Sequence, residues 1–467
     1  MARSTEQSMQ GVSSTDMKHN DRLGATAAEK LARFACDLRL DRVPQDIPPL
    51  AAAILKDAAG CALFGARFPW AQAVAEHLRD LGGRPQVPIE GFRGLALPLP
   101  QAGLLLGTMC HAYELDSLRS PGAGVHPGAT VALPALAHAL ADPSLTADRV
   151  IVAIIAGCEI MYRIGAATMH SPETRGFHAP GLTGAFGAAT VSAVLTGMNA
   201  DQLARAFGIA GSLGGGLLAF AKAGDGGMVK RLHLGRAAEA GMTAAALSRR
   251  GFEGPLAVLE GRFGLLDAYC EHSDPSLLTR DLGEKWEIRQ TCFKRYAAHI
   301  TVHGPAEALR ETVGQHGLKP RDIAGISLEM SDKVLSHHNI PQPDDIMSAQ
   351  YSVPFMTAAA LHVDLDDPRS VTEELLHDPH IRKCSETIDI CGNGEKKGWS
   401  FKLKLALQDG NIIERSGHGF SGADIKEAAP DWLDSKFELM TADIPEKHVW
   451  EEKLIDISSS IDTARSP

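Results

Sequence analysis

The sequence predicts a mainly α protein, with a large all-helical domain plus a smaller α+β lid domain. Three observations carry that reading. Apolar residues recur at helical spacing from Thr26 to about Asp267, and proline is mostly confined to the joints between segments. After about Pro275 the pattern changes to strand-like alternation. Composition supplies the third: 46 of 467 residues are glycine and only 5% are aromatic. A core of Ala, Gly, Leu, Val and Ile lets helix backbones approach closely. The length leaves room for two or three structural units.

Residues 1–24 are polar, carry Glu6 and Asp16 and lack an apolar run, so they read as a disordered tail rather than a secretory signal. The helical domain covers 25–274. Ala27–Leu40, Ile47–Phe64 and Pro69–Leu81 read as amphipathic helices and Leu97–Tyr113 as a buried one. A Ser-, Pro- and Gly-rich loop spans Ser117–Gly128. Helices follow at Ala129–Ala141, Ala147–His170, Gly181–Thr196, Asn199–Leu213, Leu232–Arg249 and Pro255–Leu259. Thr146 and Asn199 mark helix starts, and Gln202 completes a capping box with Asn199. Gly211–Gly216 lies inside a helical pattern and suggests close helix contact rather than a nucleotide loop.

The lid domain covers 275–420. Trp286–Cys292 and Ile323–Val334 alternate like strands, and His303–Gln315 and Ser352–His362 read as helices. Trp399–Gln408 and Asn411–Ser416 form a hairpin with Asp409-Gly410 as a two-residue turn. Residues 421–467 are helical again at Ile425–Ala429 and from Glu446, and are expected to return to the helical domain.

A net charge of −11, with no run of five basic residues, excludes nucleic acid and an anionic membrane surface as partners. It leaves room for a small anionic substrate in a locally cationic pocket. The eight cysteines are scattered without a CxxC, so neither a disulfide framework nor a zinc site is indicated, and a reducing, cytoplasmic setting is expected. No stretch approaches ~18 consecutive apolar residues.

Four clusters combine ionisable groups with glycine or proline. His111–Asp116, with Arg119, Ser120 and His126-Pro127, places a carboxylate, a guanidinium and an imidazole at a helix-to-loop junction. Gly176-Phe177-His178 puts an imidazole at a helix start. Gly224–His233 opens a helix with Lys230 and Arg231 in its first turn, against the macrodipole preference, as expected where a carboxylate or phosphate is to be cradled. Lys294-Arg295-Tyr296, with Val302-His303-Gly304-Pro305, follows a strand-like stretch and can reach across to the helical domain. His337-His338 carries little metal-binding expectation, since consecutive side chains of an extended segment point apart.

In order and spacing these clusters resemble the MmgE/PrpD family, which includes 2-methylcitrate dehydratases, cis-aconitate decarboxylases and iminodisuccinate epimerase. The resemblance covers nearly the whole chain from about Thr26. It implies a homodimer with neither a metal nor an organic cofactor. It also implies catalytic roles for Asp116, His126, His178, Lys230 and Lys294, with Ser120 and Tyr296 at the substrate; Arg231 and Arg119, which departs from the family pattern, would help the lysines hold substrate carboxylates. Lysines would neutralise substrate carboxylates, a histidine would move a proton at carbon, and Asp116 would orient a histidine or, if protonated, act as an acid.

Two departures stand out. Ser117 occupies the place of a second Asp common in the family, and Ala297-Ala298 stand where many dehydratases have Pro and Cys. The Lys294 segment is more similar to fungal cis-aconitate decarboxylases. The expected function is therefore a cofactor-independent lyase acting on a di- or tricarboxylate. The alternatives are an epimerase of an iminodisuccinate-like compound and a catalytically silent binding protein.

Overall fold

The computed structural model describes residues 24–120, 124–221, 227–396, 398–423, 431–444 and 447–463, with side chains to residue 459. The expectations for residues 1–23, for most of the glycine turn 224–227 and for Ile425–Ala429 lie outside this description.

The first part of the chain contains the helices α1 (Ala27–Asp37), α2 (Ile47–Gly65), α3 (Pro69–Leu81), α4 (Leu99–Cys110), α5 (Leu133–Ala141), α6 (Ala147–Ala167), α7 (Ser171–Thr174), α8 (Ala179–Leu195), α9 (Ala200–Leu213), α10 (Val229–Ser248) and α11 (Leu265–Tyr269). Local signals set several starts. Thr26 and Glu29 form a capping box at α1, Asn199 and Gln202 form another at α9, and Thr146 accepts from the Arg149 N–H at α6. A π-helical turn, Gly128–Ala132, leads into α5.

Helix α10 lies against α8 and α4, α8 against α6, and α2 against α4. Small residues permit this closeness. A Cβ on Gly235 would stand 2.2 Å from the Leu104 carbonyl oxygen, and one on Gly107 would stand 2.8 Å from the Gly235 Cα. Any larger residue at either position forces α4 and α10 apart. Helices α2 and α6 are long and apolar enough to cross a membrane, but most of each is buried among neighbouring helices.

The remainder contains α12 (Ile300–His316), α13 (Asp332–His337), α14 (Ile346–Tyr351), α15 (Val353–Ala359), α16 (Pro379–Thr387), α17 (Trp432–Thr441) and α18 (His448–Thr463). The strands are short in the first part: β1 (Val87–Pro88) pairs with β2 (Ala96–Leu97), and β3 (Leu118–Arg119) pairs with β4 (Thr291–Cys292). The main sheet holds β5 (Ile323–Met330), β6 (Asp389–Gly392), β7 (Phe401–Leu407) and β8 (Ile412–Gly417) in the order β6-β5-β7-β8. β6 runs parallel to β5 and the other pairs are antiparallel. α12 lies on β7 and β8. The fold is mainly α with a smaller α+β part, as the sequence predicts.

Several element boundaries differ from the sequence reading. Pro255–Leu259 forms turns rather than a helix, because Val258 and Leu259 spend their carbonyls on the N–H groups of Leu265 and Leu266. Helix α9 ends at Leu213, and the glycines after it dock on the start of α8: Gly215 donates to the Gly181 carbonyl at 3.1 Å. Trp286–Cys292 is not a continuous strand but a 3₁₀ turn, Glu287–Gln290, followed by β4. Its Ile288 N–H is taken by the Glu159 carboxylate at 2.8 Å and Arg289 pairs with Asp46, so side chains of the helical part replace a strand partner. The β7–β8 hairpin turns through three residues, Gln408–Gly410, closed by the Leu407 N–H to the Asn411 carbonyl at 2.8 Å, with Gly410 at φ +89°. Five cysteines are buried, but Cys391 is exposed on β6.

Candidate active site

Helix α4 stops at Cys110, and the chain turns through His111–Asp116 to β3. The pairing of Leu118 with Cys292 and of Arg119 with Thr291 fixes the segment that carries Lys294 beside this turn. The first turn of α10 brings Lys230 and Arg231 to the same place. All three cations converge on Glu114. Lys230 and Arg231 bond its Oε1, the Arg231 Nη1 at 3.0 Å, and Lys294 Nζ donates to Oε2 at 2.8 Å. Lys230 also donates to the Tyr351 hydroxyl at 2.7 Å, and that residue ends α14. Glu114, Lys230, Arg231 and Lys294 are each at most 3% exposed.

Burial pushes the Lys230 pKa well below the lysine range, and Arg231 and Lys294 add to the shift. Lys294 is lowered to about 8, chiefly by burial and against the opposing charge of Asp116. The site thus gathers three basic groups around Glu114.

Beside it, Asp116 is fully buried between two imidazoles. His111 Nδ1 lies 3.0 Å and His126 Nδ1 2.9 Å from its Oδ2. Burial opposes its ionisation, but His111 and His126, through charge and then through hydrogen bonding, outweigh that and hold its pKa well below the carboxylate range. His111 is pushed far below the ordinary imidazole range by burial, with Asp116 opposing. His126 retains some exposure and is the more accessible of the pair.

His178 occupies the N-cap position of α8 without a side-chain cap bond, and its backbone N–H donates to the Gly216 carbonyl at 3.0 Å. The glycine at 181 is obligatory, since a Cβ there would stand 2.0 Å from the Gly215 carbonyl oxygen. The His178 Nδ1 lies 3.0 Å from the Nδ1 of His233, which fixes the ring and leaves Nε2 as its other working atom. Burial lowers its pKa well below the usual range, with His111 and His233 adding to it. Its ring centroid is 6.2 Å from that of His111.

Asp116, His126, His178, Lys230, Arg231 and Lys294 therefore assemble in one region. Arg119 and Tyr296 are engaged elsewhere. Arg119 Nη2 donates to Glu287 at 2.6 Å across the β3–β4 junction, and the Tyr296 hydroxyl accepts from Arg310 at 3.3 Å. Arg119 finds an opposite charge 168 residues away, and Tyr296 a donor 14 residues away. Ser120 is tied through its backbone N–H to the Gln290 carbonyl at 2.6 Å, at the edge of the described segment.

Glu114, His111, His233 and Tyr351 join the site without having been singled out in the sequence. Glu114 and His111 lie within the first motif, so an acid beside the predicted Asp116 was the available signal. Tyr351 had none, because α14 is a six-residue helix far along the chain.

Among the described residues, His111, Asp116 and His126 form one trio with metal-ligand chemistry, their ligand atoms within 4.8 Å of one another. Both Nδ1 atoms face the Asp116 carboxylate at hydrogen-bond distance, an arrangement that also suits N–H donors to an anion.

Family models match most of the chain: the MmgE/PrpD N-terminal domain over residues 29–278 and the MmgE/PrpD C-terminal domain over 296–458. A cis-aconitate decarboxylase of Aspergillus terreus is 29% identical over 444 residues, covering 88% of each chain. The cis-aconitate decarboxylase-like protein oryM of Aspergillus oryzae is 30% identical over 338 residues, 67% of this chain and 68% of the relative. Human cis-aconitate decarboxylase is 26% identical over 363 residues, 74% of this chain and 73% of the relative. The chain belongs to the MmgE/PrpD family.

Proposed function

We propose that this protein is a lyase that decarboxylates a di- or tricarboxylate of the cis-aconitate type, using its own side chains. The observation that carries the reading is the convergence of Lys230, Arg231 and Lys294 in a buried site beside the Asp116-held His126. Such a cluster neutralises carboxylates and stabilises negative charge as it spreads onto one of them. The relatives named above act on this substrate class by their names, which favours decarboxylation over dehydration or epimerisation.

In the proposed reaction the bond from carbon to one carboxylate breaks and CO₂ leaves. The electron pair stays on the carbon skeleton and delocalises through the adjacent double bond toward a neighbouring carboxylate held by the lysines. An imidazole delivers one proton to carbon, forming the new C–H bond, and is reprotonated from water. His126 supplies that proton, its ring oriented by Asp116, while burial disfavours a protonated His178, whose ring His233 orients. A paired chain, independence of any metal or organic cofactor and a cytoplasmic location belong to the same proposal. Light scattering of the purified protein tests the first.

NMR of cis-aconitate turned over in D₂O tests the reaction. The expected product has lost CO₂ and carries one deuterium on carbon. Loss of water from citrate or 2-methylcitrate, or α-hydrogen exchange of iminodisuccinate with the skeleton intact, would replace this reading with a dehydratase or an epimerase.

A further inference from the structure

The proposed reaction does not use the Glu114 carboxylate, yet every cation of the cluster is bonded to it. We propose that Glu114 is a positioning residue, an internal counter-ion that holds Lys230, Arg231 and Lys294 together as one protonated cradle for substrate carboxylates. The inference rests on reading this cluster as the polycarboxylate site.

Its geometry is that of a fixed hub. One carboxylate oxygen takes Lys230 and Arg231 and the other takes Lys294. Three buried cations gathered this closely repel one another and favour loss of protons unless an opposite charge lies between them.

The backbone beneath the carboxylate is pinned on both sides. Gln350 Nε2 donates to the Tyr113 carbonyl at 3.0 Å, and Lys436 Nζ donates to the Leu115 carbonyl at 2.8 Å. Between these anchors Glu114 adopts φ +57°, a left-handed conformation that costs energy for any residue with a side chain and persists where its surroundings enforce it. α14 supplies both the Gln350 anchor and the Tyr351 hydroxyl that bonds Lys230, so the α+β part and the helical part meet on this hub.

The groups that set the lysines' charge are all local. Arg231, Asp116, Cys292 and Lys436 act on Lys294, and Arg231 and Lys294 act on Lys230. Removing the Glu114 charge leaves repulsion among the cations, so the lysines lose their protons at lower pH and anion affinity fails earlier as pH rises.

Calorimetric binding of tricarballylate, a saturated tricarboxylate, is measured across pH for the wild type, Glu114→Gln and Glu114→Asp. Wild-type affinity is expected to fall as pH rises past about 8. The Gln variant is expected to lose affinity about one pH unit earlier. The Asp variant keeps the charge and the wild-type pH limb, but its shorter stem displaces the cradle and lowers kcat/KM roughly tenfold. A Gln variant with the wild-type limb overturns the inference. If the Gln variant does not fold, the Asp variant decides, and wild-type kcat/KM in it overturns the inference. A wild-type protein that binds no tricarballylate overturns the polycarboxylate reading and this inference with it, whereas normal binding with an unshifted Gln limb overturns this inference alone.

Discussion

Lys230 and His126 stand for two different tasks at the residue scale, and mutation separates them. Lys230→Met removes a cation from the anion site while keeping the stem's volume. Turnover should fall on the order of 10²–10³-fold with weaker tricarballylate binding, and wild-type turnover would remove Lys230 from the site. His126→Asn keeps a donor near Asp116 but cannot carry a proton at neutral pH. It is expected to lower kcat by about 10²–10⁴-fold while tricarballylate affinity stays within a few-fold of wild type, a kcat-against-binding split that steady-state kinetics and calorimetry read together. The His111–Asp116–His126 trio adds a third test. Exhaustive dialysis against EDTA should leave turnover unchanged, whereas loss restored by a divalent cation would assign the trio to a metal.

At the scale of elements, the turn between α4 and β3 is held by a helix more than three hundred residues away. α17 lies on α2, and from it Lys436 reaches Asp57 at 2.6 Å and the Leu115 carbonyl, while Asp57 accepts the Ser117 N–H at 3.2 Å. Both ionic groups are buried. Truncating one partner strands the other charge, so Lys436→Met should cost about 3–5 kcal/mol of stability. Thermal denaturation checks this, and an unchanged Tm would show that the pair is dispensable. The β3–β4 ladder acts similarly at the other end of the turn, where Arg119 pairs with Glu287.

For the whole molecule, histidines buried in neutral form set the response to acid. Burial lowers His303 to about 3 and His138 and His338 to about 4. The unfolded chain takes up protons at these positions near pH 6.5 and the folded one does not. Stability is therefore full above that pH and is lost progressively as pH falls toward the folded values. Near pH 5 the penalty is about 2 kcal/mol per histidine. Urea denaturation at pH 7.5 and pH 5 should show a clear drop in midpoint, and equal midpoints would contradict it.

The sequence by itself determined the fold class and most of the helical order. Apolar periodicity and capping residues such as Thr146 and Asn199 act within a few residues, so they can be read locally. The same holds for the polar motifs that contain Asp116, His126, His178, Lys230 and Lys294, and for the family resemblance that the matched domains bear out. Only the tertiary structure decided which charges face one another. It gave Arg119 to Glu287, the Tyr296 hydroxyl to Arg310, and all three site cations to Glu114, with Tyr351 beside Lys230. Those pairings span more than one hundred residues for all but Tyr296, which lies 14 residues from its partner. An ion pair or hydrogen bond depends on separation in space, which no local pattern encodes. The sequence could therefore name the groups, while the folded backbone chose their partners.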